Sequence, residues 1–346
     1  PPRSTLFPYT TLFRSDNVRL VNPITHIKAD DKLDPEITIG IIREKTKIPI
    51  DKDGIYIFSR PVSSLEYAIT MLYDKCGTSV KIIADLDDSF WDIPKHHVAY
   101  ESLGEKSGNL RALERNLKRV DAVTVSTNYL KDLIISKGIK DDVTVIPNIC
   151  NTTNKYTAFR RPADKLRFGF SGTITHREDF KLILKPLVEF VLGNDVMVGI
   201  GADAVIYKEL RTIPEKKKFF VPGYPYDLYP LHLSHFDVLL IPLVDDKFNS
   251  AKSDIKILDA VANKIPFIAS DVLPYRPYGE GEPDSWAGLV VGNKQDEWYS
   301  AMSYMLSEKN RLAFVNAGDK IRKTHGVKKS STLWREVILD VASKSR

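Results

Sequence analysis

Apolar residues in this chain come in short unbroken runs that recur at a steady pitch, separated by segments with helical periodicity. Residues 54–58, 80–84, 122–125 and 143–148 read as strands. So do 166–170, 196–200, 219–221, 237–243, 267–269 and 288–291. Runs apolar at every position, rather than at alternate ones, belong to strands covered on both faces, as in parallel sheets. Helices are predicted from Ser64 to about Lys75, over 109–119, 128–137 and 179–192, from Asp296 and Asn310, and over 331–342. In the last, Leu333, Val337, Ile338 and Val341 share one face. Strand and helix in alternation build parallel βαβ units. The fold class is therefore α/β, with two Rossmann-like parallel-sheet domains facing a cleft.

The polar stretch 151–165, with Arg160, Arg161 and Pro162 and no apolar period, divides the pattern in two. At 346 residues the chain is long enough for two domains. The expected division is 16–155, 160–325, and a terminal segment 326–346 that returns to the first domain. Residues 5–15, TLFPYTTLFRS, resemble the translation of a sequencing-adapter oligonucleotide and lack the features of a signal peptide. Residues 1–15 are accordingly expected to stand outside the fold, in place of a genuine first strand. Asp16 onward reads as the first helix of the N-terminal domain.

Composition narrows the classes. Hydrophobic content of 43% supplies two cores, and no apolar run reaches the length of a membrane span. Two cysteines, Cys76 and Cys150, are too few for a disulfide framework or a zinc site, which fits a cytoplasmic protein. A net charge of +5 permits an anionic ligand or peripheral contact with a membrane surface, and does not call for nucleic acid. Walker A, H-E-x-x-H, G-x-S-x-G and G-x-G-x-x-G sequences are all missing, so ATPase, zinc protease, serine hydrolase and dehydrogenase chemistries have no support.

The candidate chemistry centres on FNSAKSDIKILDAVANKIPFIASD, residues 248–271. Asn249, Ser250 and Ser253 suit a helix N-terminus, and Lys252 and Lys256 sit four apart, on one face of the predicted helix. A helix N-terminus reinforced by lysines is an anion site, and loops beyond the carboxyl ends of parallel strands are where ligands bind. The competing reading is a solvated basic face. Preceded by DVLLIPL, the segment resembles the donor-binding region of group 1, family-4-like glycosyltransferases of the GT-B fold. Asp259 stands where that family carries its second glutamate, Ala251 where it carries the first, and Lys264 where it has glycine. The resemblance is to a divergent branch with a K-S-x-x-K element.

What the resemblance implies is a glycosyltransferase that moves a hexosyl-type group from a nucleotide-diphosphate sugar to a hydroxyl acceptor, with retention and without a metal or other cofactor. The acceptor, a sugar or a lipid-linked or protein group, is not specified, and polysaccharide assembly is a family-level expectation. The phrase Gly172-Thr173-Ile174-Thr175-His176-Arg177 follows the first strand of the second domain and resembles a donor-phosphate loop, as against a plain strand-to-helix turn. Arg177 and Lys252 are expected at the diphosphate. Gly172, Thr173, Thr175, His176, Asn249, Ser250, Ser253, Lys256 and Asp259 are expected around the donor, with Gly223 and Tyr224 at the base.

In the first domain, Asp85-Leu86-Asp87-Asp88 admits two functional readings and a structural one. A D-x-D pair is the metal motif of the other large glycosyltransferase fold, GT-A. In a GT-B enzyme Asp87 or Asp88 would instead position the acceptor, and the bland reading is a turn cap. Arg111, Arg115, Lys118 and Arg119 form a basic helical stripe, read first as a solvated face. Two alternatives outside transfer remain: an inactive sugar-nucleotide binding module, and a nucleotide-sugar epimerase of the same fold.

Overall fold

The computed structural model describes residues 4–7, 17–29, 38–39, 48, 50–77, 79–280 and 286–344. The chain forms two compact units. The first comprises Pro1–Ile149, Ala251–Ser253 and Val327–Arg346, and the second Cys150–Ser250 and Asp254–Gly326.

The first unit is built on a six-stranded, all-parallel sheet. Its strands are β1 (Ser4–Phe7), β2 (Thr38–Ile39), β3 (Ile55–Ser59), β4 (Lys81–Leu86), β5 (Ala122–Val125) and β6 (Val143–Val145), in the order β2-β1-β3-β4-β5-β6. Successive residues of each strand face opposite layers, which explains the unbroken apolar runs. Tyr56 and Phe58 enter one core with Leu65, Leu72 and Leu113, while Ile55 and Ile57 enter the other with Leu20, Ile24 and Trp334. The terminal helix Val327–Ser343 supplies Trp334, Val337, Ile338 and Val341 to that second layer. The Trp334 indole N–H donates to the Arg19 carbonyl at 2.7 Å.

Two expectations are corrected in this unit. Ser4–Phe7 pairs with β2 and with β3, Thr5 opposite Tyr56, so four residues of the stretch set outside the fold hold a place in the sheet. Threonine, leucine and phenylalanine satisfy a strand's demand for β-formers whatever their origin. The rest of residues 1–15 lies outside the described residues. The second correction concerns Ser64. Ser64, expected to cap the helix, lies in the first turn of Ser63–Cys76, whose N-cap is Val62 with no side-chain cap.

The second unit repeats the plan with β7 (Leu166–Ser171), β8 (Val196–Gly201), β9 (Lys218–Val221), β10 (Val238–Ile241), β11 (Phe267–Ser270) and β12 (Gly288–Val291). Their order is β12-β11-β10-β7-β8-β9, all parallel. Phe168, Phe170, Val238, Leu240 and Ile268 fill one core, and Leu239, Ile241, Phe267 and Ala269 the other. The polar stretch read as a linker belongs to this unit, where the Arg161 amide donates to the Ser234 carbonyl. Among the described residues no helix is long and apolar enough to cross a membrane.

Candidate functional site

The strand order of the second sheet reverses at β7. The chain moves from β7 outward through β8 and β9, then returns to β10 on β7's other side. Loops leaving the carboxyl ends of β7 and β10 therefore part from each other, and such a switch point is where doubly wound sheets bind ligands. The β7 loop carries the predicted Gly172–His176 phrase. Gly172 donates its N–H to the Gly201 carbonyl at 3.3 Å, and a Cβ there would come within 3.1 Å of the Phe170 ring and 3.3 Å of His176 Cβ. Thr173 and Thr175 are exposed, their hydroxyls 2.8 Å apart.

The helix Arg177–Gly193 begins at once. Asp179 in its first turn is buried and brackets the switch point. One carboxylate oxygen takes the His176 Nδ1 proton at 2.8 Å, and the other accepts the Val244 amide, beyond β10, at 2.9 Å. Burial pushes this carboxyl up, but the His176 bond and charge, the Val244 amide and the Lys256 charge together hold it below its ordinary value. Lys256 lies with its ammonium 5.2 Å from the centre of the Phe170 ring. Arg177, at the helix start, is tied to Glu209, Nε to Oε1 at 2.7 Å.

The helix after β10 is shorter than its sequence predicts. A single turn occupies Lys247–Ser250, and the helix proper is Ile255–Ala262 with Asp254 at its N-cap. Lys252 therefore lies in the connecting segment, not on a helix face shared with Lys256. Asn249 donates to the Val244 carbonyl at 2.9 Å and Ser250 to the Asp246 carbonyl at 2.8 Å, so both build the turn after β10. Asp259 is buried in the middle of the helix, among the residues packed around Cys150. Asp254, at the N-cap, is half-buried. It accepts the Tyr278 hydroxyl proton, and burial pushes its carboxyl up.

Sequence reasoning missed a second set of residues in this unit. His232, from the helix Tyr229–Leu233, is buried between the β7 and β9 ends. Its Nδ1 lies 3.0 Å from the Pro222 carbonyl, which can only accept, so Nδ1 carries the proton and Nε2 accepts from Ser171 Oγ at 3.0 Å. The Tyr229 ring stacks on it at 5.4 Å and Tyr224 meets its edge at 5.6 Å. Ser171 precedes Gly172 and Pro222 precedes Gly223, so one imidazole braces both loops. Gly201 makes room for it, since a Cβ there would stand 2.4 Å from Nε2. No spacing rule marks a histidine 61 residues from its serine.

In the first unit the acidic run is divided. β4 extends through Leu86, which places Asp85 inside the sheet. Arg19 Nε reaches Asp85 Oδ2 at 2.8 Å, its NH2 reaches Oδ1, and the Thr124 hydroxyl donates to Oδ1 at 2.6 Å. A carboxylate saturated in this way is a structural anchor, which removes Asp85 from the D-x-D reading. Asp87 Oδ1 lies 3.6 Å from Arg60 Nε. Asp88 forms an ion pair with Lys252 at 3.3 Å. Ser253 accepts from Asn148 Nδ2 at 2.6 Å, and the Thr127 hydroxyl donates to the Ala251 carbonyl at 3.4 Å, so all of Ala251–Ser253 is tied within this unit. Among the described residues no group of three or more His, Cys, Asp or Glu side chains is placed to hold a metal. The basic stripe is engaged locally, with Arg115 on Glu66 and Arg119 over Tyr73.

No protein-family model matches the chain, and no curated protein sequence matches it. Solved structures do. A sucrose-phosphate synthase from Thermosynechococcus elongatus superposes with a TM-score of 0.70 at 12% identity, over 99% of this chain and all of that one. Anabaena HepE, in complex with UDP and glucose, gives 0.67 at 11% identity over 98% of this chain and all of its own. TarM gives 0.61 at 14% identity over 86% of this chain, which spans 56% of TarM's length. The fold is that of the GT-B glycosyltransferases, two parallel-sheet α/β units in one chain.

Proposed function

We propose that this chain is a glycosyltransferase that binds a uridine-diphosphate sugar on its second unit and transfers the sugar to a hydroxyl acceptor. The observation that carries the reading is the switch point between β7 and β10. A glycine loop, an exposed pair of threonines, a helix start and the Lys256 ammonium are arranged around one pair of strand ends. This is chemistry for a diphosphate. Backbone N–H groups and a helix N-terminus donate to anionic oxygen, and a lysine beside them adds a full charge. HepE, with the same fold, is found with UDP and glucose.

In this account Gly172, Thr173 and Thr175 cradle the diphosphate. Lys256 stabilises the charge that develops on it as the glycosidic bond breaks, and Arg177 contributes the N–H groups that Glu209 leaves over. Gly223 and Tyr224 take the base, on the turn that His232 braces. Transfer proceeds with retention and without a metal ion. In the first unit Asp88, with its charge balanced by Lys252, serves the acceptor hydroxyl, and Asp87 is held beside it by Arg60. Asn249, Ser250 and Ser253 shape the loops, and Asp259 packs inside its helix, rather than meet the sugar.

Incubation with a panel of UDP-sugars and simple hydroxyl acceptors, with products resolved by mass spectrometry, tests the assignment. Transfer, or slow release of free sugar and UDP, agrees with it. An isomerised donor marks an epimerase, and binding without any turnover marks an inactive module.

A further inference from the structure

We propose that the second unit carries another binding site, for a phosphate-type oxyanion, at the amino ends of β7, β10 and β11, the opposite end of the sheet from the Gly172 loop. A cavity of about 410 Å³ opens there, between Leu166, Asp237 and Pro266 at the strand starts and the first turns of the helix Glu308–Thr324. That volume suits a phosphate ester of a small organic group. Four cations line it: Arg160, Lys165, Lys264 and Arg311.

The carboxylates nearby leave these charges poorly matched. Asp237 is spoken for by Arg167, which grips both its oxygens at 2.9 and 3.0 Å. Lys165 pairs outward with Asp195. Asp164 and Glu308 remain against Arg160, Lys264 and Arg311. Among the described residues Arg160 donates to the carbonyls of Phe159 and Asn263, and Arg311 to those of Met305 and Leu306. Carbonyls satisfy N–H groups without neutralising charge, so each guanidinium keeps donors and a full charge for a planar or tetrahedral oxyanion. Burial lowers the Arg160 pKa to about 10, which leaves it cationic at neutral pH. Lys264 adopts φ +55°, a conformation that asparagine or glycine takes more readily than lysine.

The phosphate could belong to a free metabolite or to a lipid headgroup, because Leu306 and Leu312 stand exposed beside the cations. Two variants separate the site from the fold. Lys264→Asn removes a charge and keeps a residue suited to its backbone, and Arg160→Gln keeps hydrogen-bonding capacity. Calorimetry with inorganic phosphate and glycerol phosphate, and co-sedimentation with phosphatidylglycerol vesicles, are run on wild type and both variants. Saturable phosphate binding, weakened about ten-fold by each variant while UDP affinity is unchanged, establishes a free-phosphate site. Vesicle binding that either variant abolishes, without binding of free phosphate, establishes a headgroup site. The proposal is overturned if neither probe binds saturably, if both variants bind like wild type, or if UDP displaces the phosphate.

Discussion

His176 Nδ1 lies 2.8 Å from Asp179 Oδ2, and the other oxygen of the same carboxylate holds the Val244 amide, so one buried aspartate joins the loops that follow β7 and β10. Folding lowers the Asp179 pKa below its ordinary 3.8, despite burial, because His176, Val244 and Lys256 together outweigh desolvation. A depressed carboxylate contributes stability that is present above the unfolded pKa and lost as pH falls through the folded one. Asp179→Asn should therefore cost about 1–3 kcal/mol at pH 6. The gap to wild type should narrow below about pH 4. Urea titrations at pH 6, 5, 4 and 3 check this, and a gap that widens toward acid would contradict it.

The Arg19–Asp85 pair is buried on both sides. Removing one partner strands a charge, so Asp85→Ala or Arg19→Met should each destabilise the first unit by about 3–5 kcal/mol, and the double variant by less than the sum. Thermal unfolding of the three proteins measures the coupling. Additive losses would mean that the two residues act separately.

Gly201→Ala tests the brace formed by His232. The new methyl would intrude on Nε2 and push the ring off Ser171 and Pro222. A loss of about 1–3 kcal/mol is expected, together with weaker UDP binding, because the loops after β7 and β9 lose their shared support. Lower stability with unchanged UDP affinity would confine His232 to packing.

Much of the fold was legible because parallel strands, apolar on both faces, announce themselves in sequence. The pattern of ten strands from β3 to β12 was read to within two or three residues at most ends. The start of the helix after β10 was not. Asn249, Ser250, Ser253 and Asp254 can all cap a helix, and the choice fell to Asp246, whose backbone and side chain close the turn Lys247–Ser250 and defer the helix to Ile255. The anchors were equally hidden. Arg19 meets Asp85, and Ser171 meets His232, only through the order of strands in each sheet, which local periodicity does not encode.

The proposed independence of a metal has a direct check. With Asp85 held by Arg19 and Thr124, the D-x-D reading of the 85–88 run loses its first carboxylate. Treatment with EDTA should leave UDP affinity and sugar transfer unchanged within about two-fold. Strict manganese dependence, abolished by Asp87→Ala, would contradict this.

In the proposed function the second unit's switch point holds the diphosphate through Lys256. Calorimetric titration of UDP and of uridine into wild type, Lys256→Ala and Lys252→Ala tests it most directly. A charge-assisted contact to phosphate contributes about 1.5–3 kcal/mol, so Lys256→Ala should weaken UDP binding by about ten-fold to more than a hundred-fold. Uridine affinity should hardly change. Lys252, paired with Asp88 in the first unit, should affect UDP affinity far less than sugar transfer. Equal UDP affinities for wild type and Lys256→Ala would contradict the account and remove this loop from the donor site.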